Sequence, residues 1–115
     1  MELPMAPNAI IFTLDVTAAA TEVDDTLNVD IQTKIDGTGT WIDVLAFTEV
    51  LGNGGALRFI GKATAGIDEA DYLYASLAAS AYKNILGFAW RAKWVVVDAG
   101  GSAASFTFSV GACVM

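Results

Sequence analysis

The stretch from Thr26 to Val50, TLNVDIQTKIDGTGTWIDVLAFTEV, narrows the choice of fold more than any other part of the chain. Leu27, Val29, Ile31 and Ile35 alternate with Asn28, Asp30, Gln32 and Lys34. That period of two is the pattern of a strand with one buried face. Asp36-Gly37-Thr38-Gly39 then supplies the residues that a tight connection between twisted antiparallel strands requires. A return strand starts at Trp41, with Ile42, Val44 and Ala46 on one side and Trp41, Asp43, Leu45 and Phe47 on the other. Both sides carry apolar groups, so this strand is expected to be covered on both faces. The stretch reads as a β-hairpin.

The same alternation recurs along the chain. Ala9–Val16 presents Ile10, Phe12, Leu14 and Val16 to one side. Thr17–Asp25 turns the chain through Glu22, Asp24 and Asp25, a solvated acidic turn without the ligand spacing or central glycine of an EF-hand. Leu51-Gly52-Asn53-Gly54-Gly55 is another turn; no Gly-Lys-Ser/Thr follows it, as a P-loop would require. Ala56–Ala63 resumes as a strand. Phe88–Val97 is a further strand, with Phe88, Trp90, Ala92, Trp94 and Val96 on the face expected to pack inward. Asp98-Ala99-Gly100-Gly101-Ser102 reads as a hairpin turn, and Ser105–Val114 as a closing strand with Phe106, Phe108 and Val110 inward. Residues 64–87 fit a short helix as well as they fit a loop with an edge strand. Their Ala, Ser and Tyr content suits an interface as much as a core.

Six strands, or eight with residues 64–87, joined by Gly- and Asp-containing turns, predict an all-β fold: an antiparallel two-sheet sandwich, jelly-roll-like. With 115 residues the expectation is one domain, residues 9–115, preceded by an extended N-terminal arm at residues 1–8 that contains Pro4 and Pro7. Leu3 and Met5 give that arm apolar groups with which to lie on a neighbour.

Composition bears on function mainly by exclusion. Thirteen acidic against six basic residues, a net charge of −7, disfavour nucleic acid as a partner, because such binding rests on neutralising phosphates. No apolar run approaches the ~18–20 residues that span a bilayer, so no membrane is expected as a partner. Met1-Glu2-Leu3-Pro4 lacks the basic start of an export signal. The chain has no histidine and a single cysteine, Cys113, expected to be a buried thiol. Zinc sites and histidine-based triads are therefore excluded, no cofactor or metal is expected, and the chain reads as a non-enzyme. Its hydrophobic fraction of 55% is high for a small monomer, which directs apolar surface to contacts between subunits.

TLNVDIQTKIDGTGTWIDVLAFTEVLGNGG, then LRFIGK, then WRAKWVVVDAGGSAASFTFSV, resembles small virion structural proteins of tailed bacteriophages over residues 9–63 and 88–111. There a D-G turn, a T-W-x-D-V strand and a terminal S-F-T-F-S-V strand recur in a compact β-sandwich. The resemblance implies a capsid decoration (cement) protein that binds the outer surface of the major capsid protein lattice and stabilises the head. It implies synthesis in the host cytoplasm, residence on the virion, and contacts with the major capsid protein and with copies of itself, a trimer being the favoured arrangement. The candidate interface residues are Leu3, Pro4, Met5 and Pro7 in the arm and Tyr72, Tyr74 and Tyr82 in the Ala/Tyr-rich segment. Alternatives are a tail or head-tail connector subunit, and a carbohydrate-binding or adhesin module using aromatics such as Trp41.

Overall fold

The computed structural model describes residues 9–64, 82, 85–99 and 103–114. The expected arm at residues 1–8, most of the segment 64–87 whose structure the sequence leaves open (65–81, 83 and 84) and part of the 98–102 turn lie outside them. Seven strands are described: β1 Ala9–Ala18, β2 Thr26–Lys34, β3 Ile42–Ala46, β4 Val50–Leu51, β5 Leu57–Thr64, β6 Ala89–Val97 and β7 Thr107–Val114. One sheet runs β5-β1-β7; in the other, β2 is flanked by β3 and β4 along one edge and by β6 along the other. Every pairing is antiparallel. The chain thus adopts the all-β, two-sheet class that the alternation predicts; its described strands number seven, where a jelly roll pairs eight.

The core lies between the two central strands. Ile10, Phe12, Leu14 and Val16 of β1 are buried, as are Leu27, Val29 and Ile31 of β2, and together they form one cluster with Val44, Leu45, Phe47, Val50 and Ala63. Burying each such side chain contributes on the order of 1.5–3 kcal/mol before the entropic cost of ordering it. Trp90 packs on this cluster from β6, its ring 5.3 Å from that of Phe12. Ile35 falls outside the pattern. β2 ends at Lys34 and Ile35 lies in the following bend, exposed.

The return arm of the first hairpin departs from simple alternation. Ile31 pairs with Leu45 but Gln32 pairs with Asp43, so a β-bulge at Val44 shifts the register. A bulge inserts one residue and reverses which side chains face inward beyond it. Leu45 and Phe47 consequently join the core with Val44, whereas Asp43 turns to the opposite face beside Gln32. Both faces of the strand are covered, as its sequence implies, but the two sets of side chains differ from the expected ones. The return arm is also split: Phe47 donates its amide to the Val29 carbonyl at 3.0 Å, and pairing resumes only at β4.

The expected hairpin between Phe88–Val97 and Ser105–Val114 does not form. β6 pairs with β2 along all nine of its residues, and β7 pairs with β1, so the intervening chain passes from one sheet to the other. Pairing β6 with β7 would have left an edge of each central strand without hydrogen-bond partners, and unpaired backbone groups are costly where apolar side chains exclude water. Cys113 is exposed and not buried. It lies opposite Ile11, one position out of phase with the inward set Phe12, Leu14 and Val16, which face Ala112, Val110 and Phe108.

The acidic turn is tied down. Asp25 is buried and its Oδ1 accepts the Ala99 amide at 2.9 Å, while its carbonyl accepts the Gly52 amide at 2.8 Å. One residue therefore joins the β1–β2 connection, the β4–β5 turn and the end of β6. At Gly52 the backbone of Glu22 stands where a side chain would begin. Replacing Asp25 with Ala strips the acceptor from a part-buried amide and should cost about 1–3 kcal/mol in urea unfolding. Gly52→Ala should cost at least as much, since its clash is with backbone and no rotamer change relieves it. Leu14→Ala, a core truncation, sets the upper scale at about 2–5 kcal/mol, and half-buried Phe108→Ala should fall below it.

Candidate functional site

The outer face of the β2 sheet carries a polar ladder that the bulge makes possible. Gln32 sits between Asp43 on β3 and Arg91 on β6. Its Nε2 donates to Asp43 Oδ1, and its Oε1 accepts from Arg91 Nε at 2.7 Å. Gln32 and Asp43 are both buried, so these bonds stand in for lost water contacts. The Arg91 guanidinium lies 4.3 Å from the centre of the Trp41 ring and the Lys34 ammonium 4.9 Å from it. Two cations thus share the π surface that a stacked sugar would use. Asp30, one rung further along, pairs across the strands with Lys93. Burial, and then the nearby Asp43 charge, push its carboxyl above the usual range, with Lys93 opposing. This is the chemistry of a cross-strand ladder that fixes the register of three strands. In the turn beyond, Asp36 Oδ1 accepts both the Thr38 amide and the Thr38 hydroxyl, which hold its carboxyl below the usual range. No group of three His, Cys, Asp or Glu suited to a metal occurs among the described residues.

Of the candidate interface residues, Leu3, Pro4, Met5, Pro7, Tyr72 and Tyr74 lie outside the described residues. Tyr82 is described. It is exposed and makes an isolated antiparallel bridge to Leu45, at the margin where β3 approaches β5. A cleft of about 550 Å³ opens at that margin, lined by Phe47, Phe59, Lys62 and Tyr82 among others.

The opposite margin was not singled out by the sequence, and it carries the larger apolar exposure. Trp94 is 56% exposed, Val95 50%, Val96 40% and Val97 46%, so the last four residues of β6 show apolar groups on both faces. Trp94 is therefore not a core residue; at the rim of the core it meets the Phe108 ring edge-on, the ring centres 5.6 Å apart. Phe88, expected on the inward face, precedes β6 and is exposed as well, its amide held by the Lys34 carbonyl at 2.8 Å. Between β6 and β7 runs an apolar groove of about 470 Å³ lined by Ala92, Trp94, Phe106, Phe108 and Val110. The sequence did hold a signal: Trp94-Val95-Val96-Val97 breaks the polar-apolar alternation. Such a run marks a strand that is either covered on both faces or left open at an edge.

No family model, no curated protein and no solved structure matches the chain.

The Asp30 carboxyl gives the ladder a pH signature. Its pKa is raised from 3.8, so the folded chain holds this proton more tightly than the unfolded chain, and the group's contribution to stability falls as pH rises above 3.8. Asp30→Asn removes that penalty. In urea unfolding the variant should gain on the wild type as pH is raised from below 3.8 to neutrality; a variant that loses stability relative to the wild type over that range would contradict the shift.

Proposed function

We propose that the chain is a structural subunit of a tailed-bacteriophage virion, and most specifically a capsid decoration protein bound to the outer surface of the major capsid protein lattice. The observation that carries this reading is the exposed apolar end of β6, from Trp94 to Val97, a contiguous run beside the buried core of the two-sheet fold. Contiguous apolar surface of this kind belongs to association. A subunit that meets both the shell and its own copies has a use for it, and an acidic charge of −7 keeps such a subunit soluble before assembly. The family resemblance of the strand and turn sequences supports the same reading. The two cations over Trp41 weigh against a glycan platform at that ring.

Cryo-electron microscopy of particles assembled with the chain tests the proposal. Density for the sandwich on the outside of the head is the expected result. Density at the head-tail joint or along the tail would move the chain to the connector or tail class, and its absence from particles would overturn the virion reading. Residues 1–8 are assigned to reach neighbouring subunits, so their deletion should lower occupancy on heads in the same maps while leaving the circular-dichroism spectrum of the free chain unchanged. Full occupancy after deletion would remove the arm from the interface.

A further inference from the structure

We infer that Asn53, in the turn between β4 and β5, is a site of spontaneous covalent modification, at which the Gly54 backbone nitrogen attacks the Asn53 side-chain amide and converts it, through a succinimide, to aspartate and isoaspartate. The Gly54 nitrogen gives up its proton to solvent and bonds to Asn53 Cγ. The bond from Cγ to Nδ2 breaks, and the side-chain nitrogen leaves as ammonia, taking a proton from water. A water molecule then opens the ring at either carbonyl. Opening at one restores the ordinary main chain with an aspartate; opening at the other routes the main chain through the former side chain.

Three observations single out this residue. First, the four asparagines of the chain, Asn8, Asn28, Asn53 and Asn84, precede Ala9, Val29, Gly54 and Ile85. Only Gly54 presents a backbone nitrogen with no side chain beside it, and the β-branched Val29 and Ile85 crowd theirs most. Second, the fold leaves the reacting pair open. Asn53, Gly54 and Gly55 are all exposed, and a Cβ on Gly55 would meet nothing within 4 Å, so the chain has room to swing the Gly54 nitrogen toward Asn53 Cγ. Asn28, by contrast, lies within β2 with its Nδ2 donating to Glu49 Oε2 at 2.9 Å.

Third, the other turn that offers a glycine nitrogen to such a side chain, Asp36-Gly37, is guarded. Asp36 Oδ1 accepts the Thr38 amide and hydroxyl, which favour the ionised carboxylate, a poor electrophile without a leaving group. The two turns look alike in sequence, and only one has its electrophile engaged.

The position of Asn53 makes the change felt. Its amide donates to the Ala20 carbonyl and the Gly52 amide to the Asp25 carbonyl, so the turn is tied to the β1–β2 connection. Modification adds one negative charge to the existing −7, beside a connection that already carries Glu22, Asp24 and Asp25. The isoaspartyl form also lengthens the main chain between these ties and β5.

The test uses the isolated full-length chain, so it stands apart from where in a virion the protein sits. Held at mildly alkaline pH, the chain should accumulate an acidic form on ion exchange, faster as pH rises because the attacking nitrogen must shed its proton. Peptide mapping by mass spectrometry should place the amide-to-acid change at Asn53, and protein isoaspartyl methyltransferase should label the same peptide. Asn53→Gly, which the φ of 61° accommodates, should lose both the acidic form and the label while keeping the circular-dichroism spectrum of the wild type. The purified acidic form should unfold at lower urea concentration than the unmodified chain. A chain that stays unmodified, an acidic form that maps chiefly to another asparagine, or a label that persists in Asn53→Gly overturns the inference. Equal unfolding midpoints would overturn the consequence for the turn.

Discussion

The contact between the inner faces of β1 and β2 is the constraint on which the rest of the structure depends. Each is the central strand of its sheet, and each contributes side chains that are almost wholly removed from water: Leu14 and Val16 from one, Leu27 and Val29 from the other. A strand buried on its inner face needs hydrogen-bond partners on both edges, and this need places every other strand. β5 and β7 complete β1; β3, β4 and β6 complete β2. The order in which the chain visits these edges is a consequence, and it explains why the last two strands part company and do not form a hairpin.

Legibility in the sequence follows the same division. β1 and β2 alternate cleanly because one face lines the core, and their inward residues can be read directly, although β1 runs on to Ala18 and β2 stops short of Ile35. β3 resists because Ile42, Val44, Leu45 and Phe47 are apolar on both parities, and only the register shift at Val44 decides which of them face the core. Cys113 and Trp94 sit on edge strands, where a period of two reports direction but says nothing about cover. Trp94 does point toward the seam between the sheets, where it lines an open apolar groove. Of the candidate interface, Tyr82 is placed on an exposed margin, whereas the apolar end of β6 has the tryptophan and valine composition of a buried strand, which does not distinguish it from core.

The polar ladder on the outer face shows how a small sandwich holds register where burial does not. Gln32 is bonded on both sides, to Asp43 and to Arg91, and three strands share one rung. Shifting any of them by a residue would strand a buried carboxylate or amide, at a cost of the order of 1–3 kcal/mol or more for a charged group. The bulge at Val44 and this rung are therefore one device: the extra residue brings Asp43 to Gln32 while sending Leu45 and Phe47 inward. Asp25 does comparable work at the other end, where a single side chain and its carbonyl hold three connections together.

These devices act unequally on the two margins of the sandwich. On the β3/β5 side the sheets approach closely, with the Leu45 side chain lying where Gly61 has no Cβ to obstruct it, and Tyr82 bridges to the same Leu45. On the β6/β7 side, among the described residues, the sheets meet through the partly buried Trp90, Ala92, Phe106, Phe108 and Val110, and the last four residues of β6 have exposed apolar side chains. Sealing that margin from within would take another strand or a layer of larger side chains. That opening accounts for part of the high apolar content: β6 and β7 complete different sheets, and the last four residues of β6 place apolar side chains on the surface.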